Sequence, residues 1–258
     1  MKLRVITVLI SFSFTVFAQD SGNNPRILSA YHGLDSLPAV ARLLCGRGVT
    51  GQDGMPVTFS NQIDIESVTP EIFVVETGSG EKVTPICATL RPAAELLERR
   101  TVLLVGSFGT PSMPPKAVEI VGQLKDIDGN SLQGLRIETI TPIASGPSLV
   151  FAERFKPDTP GLERECPKAT RQALLLTWEG GVSGPAGADL GEPQRLGISV
   201  QLENGSQVNP IALGDDDPDN QVVACLNGSS PAKSVNVEAG LFHDPGNDPN
   251  PETRINVL

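Results

Sequence analysis

Val118-Glu-Ile-Val-Gly-Gln-Leu-Lys-Asp-Ile-Asp-Gly-Asn130 and Val235-Asn-Val-Glu-Ala-Gly-Leu-Phe-His-Asp-Pro-Gly-Asn247 are two versions of one pattern. Each runs through alternating β-formers to a glycine, a three-residue spacer, an aspartate and a Gly-Asn pair. That order reads as a strand entering an acid-containing turn. A second block repeats at a fixed offset of 125: Phe73, Val75, Gly80, Val83, Pro85 and Ile86 match Ile198, Val200, Gly205, Val208, Pro210 and Ile211. Two blocks recurring in the same order imply one architecture used twice.

The composition supports an all-β reading. Gly 26 and Pro 22 exceed ordinary usage, and short Val/Ile/Leu/Thr runs alternate with turn residues where long stripes of period 3.6 are scarce. Pro56 to Ser60, Ile72 to Glu76 and Lys82 to Leu90 read as strands, the last two joined by a hairpin at Gly78-Ser-Gly80. Thr101 to Val105 is apolar throughout, as a strand buried on both faces would be. Gln172 to Trp178 is a second strong strand. Ile27 to Leu44 suits either a short helix or a strand followed by a loop, and Pro92 to Arg100 suggests an inserted helical turn. Thr139 to Pro147, with its prolines and Ser-Gly, is the expected connection between halves. The fold class is thus all-β, two tandem β-sandwich domains over 26–142 and 147–258. Each copy of the opening stretch is expected to be the closing strand of one sandwich.

Lys2 and Arg4 followed by the apolar run Val5 to Phe17 and then Ala18 match a secretory signal peptide over 1–18. No later run approaches the ~20 apolar residues of a membrane span. The 20 basic and 30 acidic residues give −10, and removing Lys2 and Arg4 takes the exported chain to −12. Such a charge disfavours nucleic acid and anionic membrane surfaces as partners. Cys45, Cys87, Cys166 and Cys225, an even count in an oxidising compartment, predict two disulfides, and the repeat suggests Cys45–Cys87 and Cys166–Cys225. Asn204-Gly-Ser and Asn227-Gly-Ser are glycosylation sequons if the host is a eukaryote, which would make the protein a glycoprotein.

One sub-pattern resembles the bacterial Ig-like domains of surface-layer and adhesin proteins. It is carried by Phe59-Ser60, Asp64, Val68-Thr69-Pro70, Phe73 and the close at Asp126-Ile-Asp-Gly129-Asn130, within about residues 50 to 140. The resemblance implies an Ig-like sandwich and no activity. The cysteines and the segment Pro92 to Arg100 depart from it.

Candidate sites are few. Asp215, Asp217, Asp244 and Asp248 offer loop carboxylates of the kind calcium takes, although Asp, Asn, Pro and Gly are equally the residues of β-turns. His32 and His243 are the only histidines; His243 reads as a turn residue. Tyr31 beside His32 could polarise a carbonyl or phenol, against the alternative of a buried pair anchoring the N-terminal segment. Trp178, ending an apolar strand, reads as core. Nucleotide loops, heptads and a Gly-x-Ser-x-Gly elbow are absent from the sequence. Two function classes follow. One is a secreted protein binding a small, largely apolar ligand or a surface partner. The other is a cofactor-independent cyclase, pericyclase or isomerase that holds a reactive conformer, with Tyr31 and His32 as its catalytic candidates. Neither requires a cofactor beyond the calcium considered above. In both, the ligand site belongs in the seam between the halves or among the loops at one end.

Overall fold

The computed structural model describes residues 24–162, 164–214 and 219–258; the expected leader over 1–18 lies outside them. Sixteen strands alternate with turns: β1 (Ile27–Ala30), β2 (Asp53–Phe59), β3 (Phe73–Glu76), β4 (Lys82–Val83), β5 (Cys87–Thr89), β6 (Thr101–Gly106), β7 (Ala117–Ile120) and β8 (Arg136–Ile137), then β9 (Leu149–Phe155), β10 (Gln172–Trp178), β11 (Ile198–Leu202), β12 (Gln207–Val208), β13 (Ala212–Gly214), β14 (Gln221–Leu226), β15 (Ala232–Val237) and β16 (Thr253–Asn256). The α-helices among the described residues are short, α1 (Arg42–Cys45) and α2 (Glu192–Gly197).

Four antiparallel four-stranded sheets pair into two sandwich-like halves. The first half has the orders β1-β2-β6-β5 and β4-β3-β7-β8; the second has β9-β10-β14-β13 and β12-β11-β15-β16. The repeat is visible in the register. Val75 pairs with Val83 and Val118, and Val200 pairs with Val208 and Val235. Alternation along each strand sends one set of side chains inward. Met55, Val57, Phe59, Val102 and Leu104 join Phe73, Val75 and Val118 in the first core. Leu174, Leu176 and Trp178 join Val200, Val235 and Phe242 in the second. Trp178 is fully buried, its ring 4.5 Å from that of Phe242.

Three local expectations change. The strand expected over Lys82 to Leu90 divides into β4 and β5, which belong to different sheets. Pro85, lacking an N–H, stands between them, and Pro210 stands in the same place between β12 and β13. Pro92 to Arg100 runs through turns, with Leu97 at φ 78, a left-handed conformation that interrupts any helical path. The two opening stretches are not closing strands. Their β-runs are β7 and β15, interior strands, and the chain returns after the turn as β8 and β16 to close each sheet.

The turns after those strands correspond one residue away from the Gly-Asn match. Asp126 Oδ1 accepts from the N–H of Asn130, and Asp244 Oδ1 accepts from the N–H of Asp248. The left-handed position is therefore Gly129 (φ 85) in one half and Asn247 (φ 67) in the other. Asn is the residue that tolerates this region best after glycine.

Each half carries one disulfide, Cys45–Cys87 and Cys166–Cys225. The cysteines do not occupy matching strand positions, since Cys87 lies on β5 and Cys225 on β14. They nevertheless do the same thing. Cys45 and Cys166 lie in the connections β1–β2 and β9–β10, and each bridge fastens that connection to the outer face of its sheet.

Candidate functional site

The site begins with a proline in a central strand. Tyr31, just past β1, donates its N–H to the carbonyl of Pro56 on β2 (3.0 Å). Pro56 has no N–H to return, so the β1–β2 ladder ends there and the chain is released from the sheet. It touches β2 again at Leu34, which exchanges both backbone hydrogen bonds with Gly54, and Leu37 then bonds Gln52 and Gly51 in the turn that leads into β2. Between Leu37 and Gly51 it arches outward through α1. This strap is tied down by Cys45–Cys87 and by Leu37, Ala41 and Val49 packing on Val105.

Beneath the strap lies a cavity of about 510 Å³. Gly54, Pro56, Thr101 and Leu103, the outward residues of β2 and β6, form its floor. Leu34, Leu37, Ala41 and Leu44 of the strap face Leu90, Pro92 and Ala93, and the second half closes one side with Gly180, Gly181, Asp219, Asn220 and Pro245. Both halves therefore contribute, and the lining is overwhelmingly aliphatic. Gly54 admits the strap because a Cβ there would stand 3.2 Å from Leu37 Cδ2.

Tyr31 joins the halves at this place. Its hydroxyl lies 2.6 Å from Asp244 Oδ2 and 2.9 Å from the carbonyl of Ser145, and donates its one proton between them. The ring is fully buried, with Gly33 and Gly180 on its flanks: a Cβ on either would come within 3.0 or 2.7 Å of the ring. Burial, then the hydrogen bond to Asp244 and its negative charge, push the phenol far above its ordinary range. The ring thus backs the cavity wall while its hydroxyl is committed to the seam. Further cross-seam bonds run from Asn220 Nδ2 to Thr101 Oγ1 (2.8 Å) and from Thr141 Oγ1 to Glu179 Oε1 (2.8 Å). Arg100 pairs with Glu153 and lies 4.2 Å above the Phe151 ring.

His32 and Tyr31 are neighbours in sequence and part company in space. His32 is fully buried and does not line the cavity. Its Nε2 is 3.7 Å from Asp53 Oδ2, too long for a hydrogen bond. Burial pushes the Asp53 carboxyl up, but the His32 ring and the N–H groups of Phe108 and Gly109 outweigh it and hold the group below the usual carboxylate range. The Asp53 carboxylate therefore serves as an anchor for the turn after β6, with His32 against it.

Of the calcium candidates, Asp215 and Asp217 lie outside the described residues. Asp244 spends one oxygen on Asp248 N–H and the other on Tyr31. Among the described residues no group of three or more His, Cys, Asp or Glu side chains is placed to hold a metal ion. Asn204 and Asn227 are both exposed, the first in the β11–β12 turn and the second just after β14. No described helix is long and apolar enough to cross a membrane.

The cavity itself was hidden from sequence reasoning, because its lining is drawn from the outward positions of strands and from a strap without periodicity. Pro56 inside a strand and the paired leucines of Ile27 to Leu44 were its only traces.

No protein-family model matches the chain, and no curated protein matches it. Among solved structures, one match is the N-terminal part of the bacterial S-layer protein SbsC. It is 14% identical with a TM-score of 0.30, and the alignment covers 91% of this chain and 44% of that one. The chain therefore spans less than half of that structure, and the match is a distant one.

Proposed function

We propose that the protein is an exported pair of Ig-like sandwich domains that binds a small, largely aliphatic organic molecule in the seam cavity. The observation that carries this reading is the cavity: about 510 Å³, aliphatic on nearly every side, and walled by both halves. Volumes of roughly 300–1,000 Å³ with few polar groups are those of small-molecule sites. Export is supported by the two disulfides, which belong to oxidising compartments, and by the leader pattern of the sequence.

A second reading, a cofactor-independent cyclase, pericyclase or isomerase, is favoured by one feature. The cavity is walled by both halves and is largely aliphatic, as a chamber that holds one conformer of an apolar substrate would be.

The test is mass spectrometry of the full chain from its native host, beside titration with the apolar fluorophore N-phenyl-1-naphthylamine. A co-purifying small molecule and saturable probe binding are expected, with probe binding lost in Leu103→Trp, which fills the floor of the cavity from β6. Probe binding that Leu103→Trp leaves intact would place the apolar site elsewhere. Conversion of the co-purifying molecule on incubation would select the enzyme reading.

A further inference from the structure

The cavity has a polarity from mouth to interior, and this specifies the kind of molecule it takes. Three of its lining residues are ionisable: Tyr31, Arg91 and Asp219. The Tyr31 hydroxyl is committed to Asp244 and Ser145. Asp219 is buried on the wall supplied by the second half, where its Oδ1 accepts the N–H of Gln221 (2.5 Å). Arg91 is exposed in the turn after β5, opposite the strap. Among the described residues its guanidinium has no carboxylate within ion-pair distance; the same holds for Arg42, Arg99 and Arg254, and it is the place of Arg91 on the cavity lining that sets it apart. Leu43, 77% exposed, sets an apolar side chain at the same mouth.

We infer that the ligand is an aliphatic carboxylic acid, bound with its chain in the cavity and its carboxylate at the mouth on Arg91. This rests on the cavity reading above. The walls select an aliphatic body, because leucine, proline and alanine give dispersion contacts all round and the one aromatic ring, Tyr31, is buried behind glycines with no face free for stacking. The charges select the orientation. A carboxylate driven inward would lose its hydration among aliphatic side chains, whereas at the mouth it meets a guanidinium with five donors and water to complete its hydration. The chain as a whole is acidic, so Arg91 acts as a local attraction against a repulsive field, and binding is expected to tighten with added salt until the Arg91 pair itself is screened.

The experiment is calorimetric titration of the full oxidised chain with dodecanoate, dodecanol and dodecylamine, for wild type, Arg91→Gln and Leu103→Trp, with melting temperature checking each fold. Dodecanoate is expected to bind about three- to tenfold more tightly than dodecanol, the scale of a solvent-exposed charged hydrogen bond. Arg91→Gln should abolish that preference and leave dodecanol unchanged, and Leu103→Trp should weaken both. Equal binding of acid and alcohol by wild type would overturn the head-group assignment while leaving the cavity reading intact. Tightest binding of dodecylamine would overturn it also. If none of the three binds, the cavity reading falls with it.

Discussion

Tyr31 is the only tyrosine in the chain, which makes its ionisation directly readable. In the unfolded chain the phenol titrates near pH 10. In the folded protein burial and Asp244 drive it well above that. The folded state therefore keeps the proton that the unfolded state gives up. Stability from this group is fully present below about pH 10 and is lost as pH rises beyond it, by about 1.4 kcal/mol per pH unit. The assay is the near-ultraviolet absorbance of the phenolate, followed with the circular dichroism of the buried Trp178 and with urea denaturation at a series of alkaline pH values. Phenolate is expected to appear only as the Trp178 signal collapses. Tyr31→Phe should cost about 2 kcal/mol at neutral pH, since the buried Asp244 loses a donor, and should remove one proton's worth of the alkaline slope. A phenolate signal with a midpoint near 10 while Trp178 remains native would refute the seam geometry.

Two other expectations concern the repeat. The bridges close loops of sequence separation 42 and 59, so replacing either cysteine pair by serine should lower stability to urea by about 4 kcal/mol; only Cys45→Ser/Cys87→Ser, which frees the strap, should also abolish probe binding, and equal loss of binding in both would detach the strap from the site. At Gly129, where a Cβ would meet nothing within 4 Å, substitution acts through the backbone alone: Gly129→Ala should cost about 1 kcal/mol and Gly129→Asn clearly less, as measured by thermal melts, because Asn247 already holds the equivalent conformation.

The duplicated β architecture was legible because it rests on period-two alternation and on turn residues, both local in sequence. The pairs Val75–Val118 and Val200–Val235 follow from the blocks that repeat. The turn match was one residue out because Asn247, and not Gly246, takes the left-handed position; Gly-Asn is a composition signal, whereas the requirement is a dihedral angle. The split of Lys82 to Leu90 between sheets was marked by Pro85 and missed because the apolar run continues across it. The site was harder to see. Tyr31 and His32 stand out as rare residues, but alternation turns neighbours to opposite sides, so one reaches the seam and the other Asp53. Asp244 reached the seam too, over a sequence separation of 213, and no local pattern records a contact of that span.

The connection that bridges the first two strands of each half is stapled by a disulfide over the outer face of its sheet. In the second half Leu162 packs with Ala173, Leu175 and Val223 beneath that connection, as Leu37, Ala41 and Val49 pack on Val105 in the first. For an engineer the parallel is a template: the outer face of β9-β10-β14-β13 is a second place where trimming Leu162 would open room for a guest, with a disulfide already there to hold the roof.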